Sequence, residues 1–115
     1  MTWTKIRLEL ARTPAFPNGS AARSYVMCLP IAPDGRIDEQ EYRHHPEYAT
    51  VRRFWPNEPD QHGHLLRTAE GWTLSYAPHN QSFRIEATMI RSGSHLMLIE
   101  PDGQALPFEV KAIAA

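Results

Sequence analysis

The chain has one cysteine, two lysines, Lys5 and Lys111, and no surplus of either charge, with 12 Lys+Arg against 13 Asp+Glu for a formal net charge of -1. Each shortage excludes something. A lone Cys28 cannot close an internal disulfide, which rules out a cross-linked scaffold. A near-neutral chain with scattered arginines carries no overall field toward nucleic acid or an anionic membrane. No apolar stretch approaches the ~20 residues of a spanning helix, and the opening "MTWTKIRLELA" lacks a basic segment, an apolar run and a small-residue cleavage site. The expectation is a cytoplasmic protein in a reducing compartment, with no membrane association. Within "YVMCLPI", Cys28 is expected to be a buried, inert, small hydrophobe, since no basic or helix-start setting activates its thiol.

Motifs with known chemistry are also missing. There is no glycine-rich phosphate loop, no H-E-x-x-H and no G-x-S-x-G. Glu39 and Glu41, two apart on a helix, cannot face one another as an acid/base pair. No catalytic residue and no cofactor are therefore expected, and a binding role is expected ahead of an enzymatic one.

What is present is alternation and punctuation. With 42% apolar and 22% charged residues, the composition suits one ordinary globular domain spanning residues 1–115, and ten prolines with six glycines imply many turns. "KIRLELA" (5–11) alternates Ile6, Leu8 and Leu10 with Lys5, Arg7 and Glu9, the period of a strand with one wet face. "SYVMCLPI" (24–31), "TVRRFW" (50–55), "HLLRTA" (64–69), "WTLSYA" (72–77), "FRIEATMI" (83–90), "HLMLIE" (95–100) and "ALPFEVKAI" (105–113) continue the pattern. One short helix is expected near residues 38–45, with Asp38 as N-cap, Glu39 and Glu41 in its first turn and Pro46 ending it. Short strands separated by frequent turn signals predict an all-β fold, a small barrel or roll of about eight strands. "PDG" occurs at 33–35 and again at 101–103, a repetition that turn chemistry alone explains.

Chemistry-bearing side chains concentrate in "RRFWPNEPDQHGH", residues 52–64. On a strand, Val51, Arg53 and Trp55 share one face while Arg52 and Phe54 share the other, so one arginine must point toward the core. Such an arginine needs an acidic partner or a bound anion. Arg52, Arg53 and Trp55 are the candidate ligand-binding residues, pairing cations with a stacking surface. Pro56 and Pro59 are expected to end the ladder, leaving Asn57 to His64 as an exposed loop. His62, His64 and Asp60 supply imidazoles and a carboxylate of the kind a first-row metal takes, but without a recognised ligand spacing.

The segments "RLELARTPAFPNGSAARSY", "DGRIDEQEYR" and "VRRFWPNEPDQHG" resemble a group of small uncharacterised bacterial proteins of about this length. The resemblance implies a free-standing bacterial cytoplasmic domain and transfers no site residue. The leading expectation is a non-enzymatic binding or interaction module with a recognition surface around residues 52–64, for an anionic small molecule or a protein partner and not for nucleic acid. The alternative is a metal-dependent hydrolase using His62, His64 and a nearby carboxylate.

Overall fold

The computed structural model describes residues 3–69, 71–76, 81–86, 89–100 and 102–114. Eight antiparallel strands follow one another around a closed barrel: β1 Trp3–Leu10, β2 Ser20–Pro30, β3 Thr50–Phe54, β4 Gln61–Thr68, β5 Gly71–Tyr76, β6 Gln81–Glu86, β7 His95–Ile99 and β8 Ala105–Ala114. Each strand pairs with its successor, and β8 returns to pair with β1 from Lys5↔Ala114 to Leu10↔Phe108, so the sheet has no free edge. The single α-helix among the described residues, α1 (Glu39–His44), lies in the β2–β3 connection and is followed by a 3-10 turn at Pro46–Tyr48. The all-β barrel with one short helix is therefore as the alternation predicts.

Alternation decides which side chains fill the barrel. Ile6, Leu8 and Leu10 of β1, Tyr25, Met27 and Leu29 of β2, Leu65 of β4 and Leu74 of β5 point in and are buried, as are Leu96 and Leu98 of β7 and Phe108 and Val110 of β8. An eight-stranded barrel is just wide enough for such side chains to meet across its axis. Burying each large aliphatic contributes about 1.5–3 kcal/mol. The positions between them face out and carry Lys5, Arg7 and Glu9 on β1, Arg52 on β3, His62 and His64 on β4, Arg84 on β6, and Glu109 on β8. The outer face also carries exposed apolar side chains, Leu66 on β4 and Ile113 on β8. Among the described residues no helix is long and apolar enough to cross a membrane.

One end of the barrel is plugged. The Asp38 carboxylate accepts from the Glu41 amide at 3.0 Å and starts α1, whose buried Tyr42 donates its hydroxyl to the Leu65 carbonyl at 2.9 Å and meets Trp72 edge-on at 4.9 Å. Glu41 also accepts from the Trp3 indole at 2.8 Å, which ties the helix to β1. Ile90, buried in the β6–β7 connection, adds a second stopper where its amide reaches the Gly35 carbonyl at 2.6 Å.

Three expectations need correction. Cys28 is not in the interior: Met27 and Leu29 take the inward positions, so Cys28 faces out opposite Lys5 and is only partly covered. The uninterrupted apolar run hid a parity that its neighbours settle. Residues 57–64 do not all form a loop, because β4 begins at Gln61 and pairs with β3 from Arg53↔Gln61 to Thr50↔His64. Glycine and polar residues are tolerated there because His62 and His64 stand on the wet outer face, while the inward Gly63 is buried by its surroundings. β2 begins at Ser20, four residues before the apolar run that announces it. Of the strand expected over 83–90, β6 accounts for the part up to Glu86, and residues 87 and 88 lie outside the described residues.

Candidate ligand-binding site at the open end of the barrel

The end opposite α1 is open, and what stands there is set by three local features. The first is an irregularity in β2: Glu9 pairs with Ser24 but Leu10 pairs with Ser20, leaving residues 21–23 without partners. Such bulges re-aim a side chain, and Arg23 turns over the mouth. Its guanidinium carbon lies 4.1 Å from the centre of the Phe16 ring and 5.6 Å from that of Trp55.

The second feature is the turn Trp55-Pro56-Asn57-Glu58. Proline at its second position and Asn57 at φ 63 are the pattern of a type II turn, closed by the Glu58 amide on the Trp55 carbonyl at 3.3 Å. Asparagine tolerates this left-handed conformation better than most side chains. The turn carries Glu58 back over β3, where its carboxylate accepts from Arg53 Nη1 at 2.8 Å.

Arg53 itself is the inward arginine that strand parity requires, 7% exposed. Its Nε donates to the Tyr25 hydroxyl at 3.3 Å, its Nη1 also reaches Gln61 Oε1 at 3.4 Å, and its guanidinium carbon lies 4.1 Å from the Trp55 ring centre. Burial works against the charge on Arg53, but the hydrogen bond to Glu58 and the contact with Tyr25 more than offset it, and its pKa is raised. Burial pushes the Tyr25 hydroxyl up to about 12 despite the opposing pull of Arg53. Tyr25 is thus a neutral hydrogen-bonding group at ordinary pH, and Arg53 a permanent, internally satisfied cation.

The third feature is the β7–β8 turn. Gly103 at φ 89 follows Asp102, whose carboxylate accepts from the Gln104 amide at 2.9 Å. The turn sets Glu100 at the rim, where burial, then the charge of Asp102, push its carboxyl up. Together these segments enclose a cavity of about 620 Å³ lined on its apolar side by Leu10, Phe16, Trp55 and Leu106 and on its polar side by Arg23, Arg53, Glu58 and Glu100. Behind the lining residue Arg53 lies Tyr25, with Phe108 edge-on to it at 5.1 Å.

The two arginines of the mouth differ in what they already hold. Arg53 is committed to Glu58, Tyr25 and Gln61. Arg23 hydrogen-bonds the Ser20 hydroxyl at 3.1 Å and makes no ion pair among the described residues. A cation stacked on a ring, with donor groups left over and no carboxylate on it, is suited to receiving an anionic group beside an apolar body.

The residues singled out in the sequence therefore separate. Arg53 and Trp55 are brought together at the mouth, whereas Arg52 projects from the outer wall over Phe54, 5.1 Å from its ring centre. His62 and His64 share that outer wall, and Asp60 is exposed in the loop before β4. Among the described residues, no group of three or more His, Cys, Asp and Glu is assembled as a metal site. Sequence reasoning missed Arg23, Phe16 and Glu100. For Arg23 a signal existed, since it continues the inward series Tyr25, Met27, Leu29 by two residues; Phe16 and Glu100 reach the mouth through loop geometry that no periodicity reports. Comparison of the chain with protein-family models, curated proteins and solved structures finds no match.

Proposed function

We propose that this chain is a non-enzymatic binding module of the bacterial cytoplasm that takes a small molecule with an anionic group and an apolar or aromatic body at the open end of its barrel. The observation that carries the reading is Arg23, a cation with no ion pair among the described residues, stacked on Phe16 inside a ring-lined cavity of about 620 Å³. That volume is of the order that small-molecule sites have, about 300–1,000 Å³, and favours a compact ligand over a protein partner. The anion would sit on Arg23 and the body against Trp55, Phe16 and Leu106, while Arg53 positions Trp55 from below. The hydrolase alternative draws no support from Asp60, His62 and His64, which stand in a loop and on the outer wall and, among the described residues, are not assembled into a metal site.

The test is titration with 2-naphthoate and anilinonaphthalene sulfonate, followed by fluorescence, on protein whose thermal melt shows it folded. Arg23→Ala is expected to weaken binding about tenfold or more, the scale of a lost charge-assisted contact, and Arg52→Ala to leave it unchanged. Absence of binding by these and other aromatic carboxylates, or binding indifferent to Arg23→Ala, would reject the reading.

A further inference from the structure

The same stretch that sends Arg53 and Trp55 into the mouth sends its alternate residues to the opposite side of the sheet, where they meet another set of groups. On the outer wall of β3, β4 and β5, Thr50, Arg52, His62, His64, Leu66 and Ser75 line a groove of about 580 Å³. Its floor is the backbone at Val51 and Gly63. Arg52 stands directly across from His62 and Thr50 across from His64, and Ser75 flanks His64 from the other side. Directly opposed residues on antiparallel strands hold their Cβ atoms about 4.5–5.5 Å apart.

The charge of this groove is one-sided. Among the described residues, no carboxylate is in its lining. The side chains of Arg52, His62 and His64 make no hydrogen bond or ion pair among the described residues, Arg52 having only the Phe54 ring beneath it. Asp60, the acid nearest in sequence, is exposed in the preceding loop and outside the lining. A guanidinium placed directly opposite a hydrogen-bonding imidazole, with a second imidazole beside it, suits an anion held between them. Arginine supplies a planar fork of donors, the imidazoles supply single N–H groups from the neighbouring strand, and the two hydroxyls, Thr50 and Ser75, supply more. Donors arriving from three strands suit an oxyanion with several oxygens pointing in different directions.

We propose that this outer groove is a second binding site, separate from the mouth, that takes the phosphate group of a small molecule through Arg52, His62 and His64. It does not depend on the reading of the mouth, since the two sites share no lining side chain.

The experiment is a titration of the full chain with inorganic phosphate at pH 6.0, followed by the imidazole carbon–proton resonances, which His62→Gln and His64→Gln variants assign. Chloride at matched ionic strength is the control. Expected are saturable shifts of the His62 and His64 signals with phosphate and not with chloride, an affinity lowered about tenfold or more in Arg52→Ala, and an unchanged affinity in Arg23→Ala. Because Arg52 is exposed and outside the core, Arg52→Lys, which keeps charge but loses the fork, is a second variant expected to fold normally and to bind at intermediate strength. Shifts reproduced by chloride, affinity indifferent to Arg52→Ala, or binding lost in Arg23→Ala instead would overturn the proposal. So would tight zinc binding that shifts both imidazoles while phosphate does not, which would make the groove a metal site.

Discussion

Arg53 Nε donates to the Tyr25 hydroxyl at 3.3 Å in a barrel filled for the rest of its length mainly by aliphatic and aromatic side chains. A charge in such a place persists only if its partners are complete. Here they come from two sides, Tyr25 from the neighbouring strand and Glu58 from the turn five residues on.

Removing the guanidinium should therefore leave the Tyr25 hydroxyl buried without one of its partners and the turn without its anchor. Arg53→Ala is expected to lower stability by about 1–3 kcal/mol, the cost of stranding a buried polar group. Arg53→Met, which restores volume, should cost less, and the Tyr25→Phe/Arg53→Met pair less than the sum of the two. Urea denaturation measures the four variants and the parent; an Arg53→Ala midpoint equal to that of the parent would show the charge to be structurally idle.

Tyr25 supplies a second readout. Its hydroxyl is raised to about 12, so between about pH 10, where an unfolded tyrosine ionises, and pH 12 the folded chain keeps a proton that the unfolded chain releases. The stability this contributes is fully present below pH 10 and is lost as the pH rises through the folded value. Absorbance titration near 295 nm should show a tyrosine step raised to about 12, and Tyr25→Phe should remove that step. Loss of a different tyrosine's step in this variant would contradict the burial argument.

Much of this was legible in the chain because period-two alternation depends only on which side of a strand a residue stands. Ile6, Leu8 and Leu10 announce β1, and "RRFW" announces that one arginine must go in. The capping of α1 by Asp38 is a local matter and is equally readable. Parity fails in an unbroken apolar run, as at Cys28, and where strand residues are polar, as at His62 and His64, whose outward positions need no hydrophobic signal. The mouth was half legible for a different reason. Arg53 and Trp55 belong to a strand and the residue after it, but Phe16 and Glu100 are brought to them only by barrel closure, which pairs β8 with β1 across nearly the full length of the chain.

Cys28 tests the corrected parity. It faces out, part-covered, with its thiol pushed up by burial and only partly pulled back by Lys5 across the strand pair. Its reaction with a disulfide reagent at neutral pH is expected to be slower than in denaturant, because the thiolate is the nucleophile, yet measurable without unfolding. The rate should climb with pH, and Lys5→Ala should slow it further. A rate that tracks global unfolding across a urea series would return Cys28 to the interior.

The turn that holds Glu58 over Arg53 gives the most specific prediction. Asn57 adopts φ 63, a conformation costing about 1–2 kcal/mol for a residue with an ordinary Cβ environment and more readily met by asparagine or glycine. Asn57→Gly should be near neutral, whereas Asn57→Val should destabilise by about that amount and let the turn open. Once the turn is open, Glu58 no longer reaches Arg53, so Glu58→Ala should cost less in the Asn57→Val background than in the parent. A cycle of the four proteins by urea denaturation is expected to show a coupling of about 0.5 kcal/mol or more, as residues sharing one hydrogen-bonded network do. Strict additivity would mean that the left-handed turn and the 2.8 Å ion pair are independent, and that "PNEP" does not serve to hold the inward arginine.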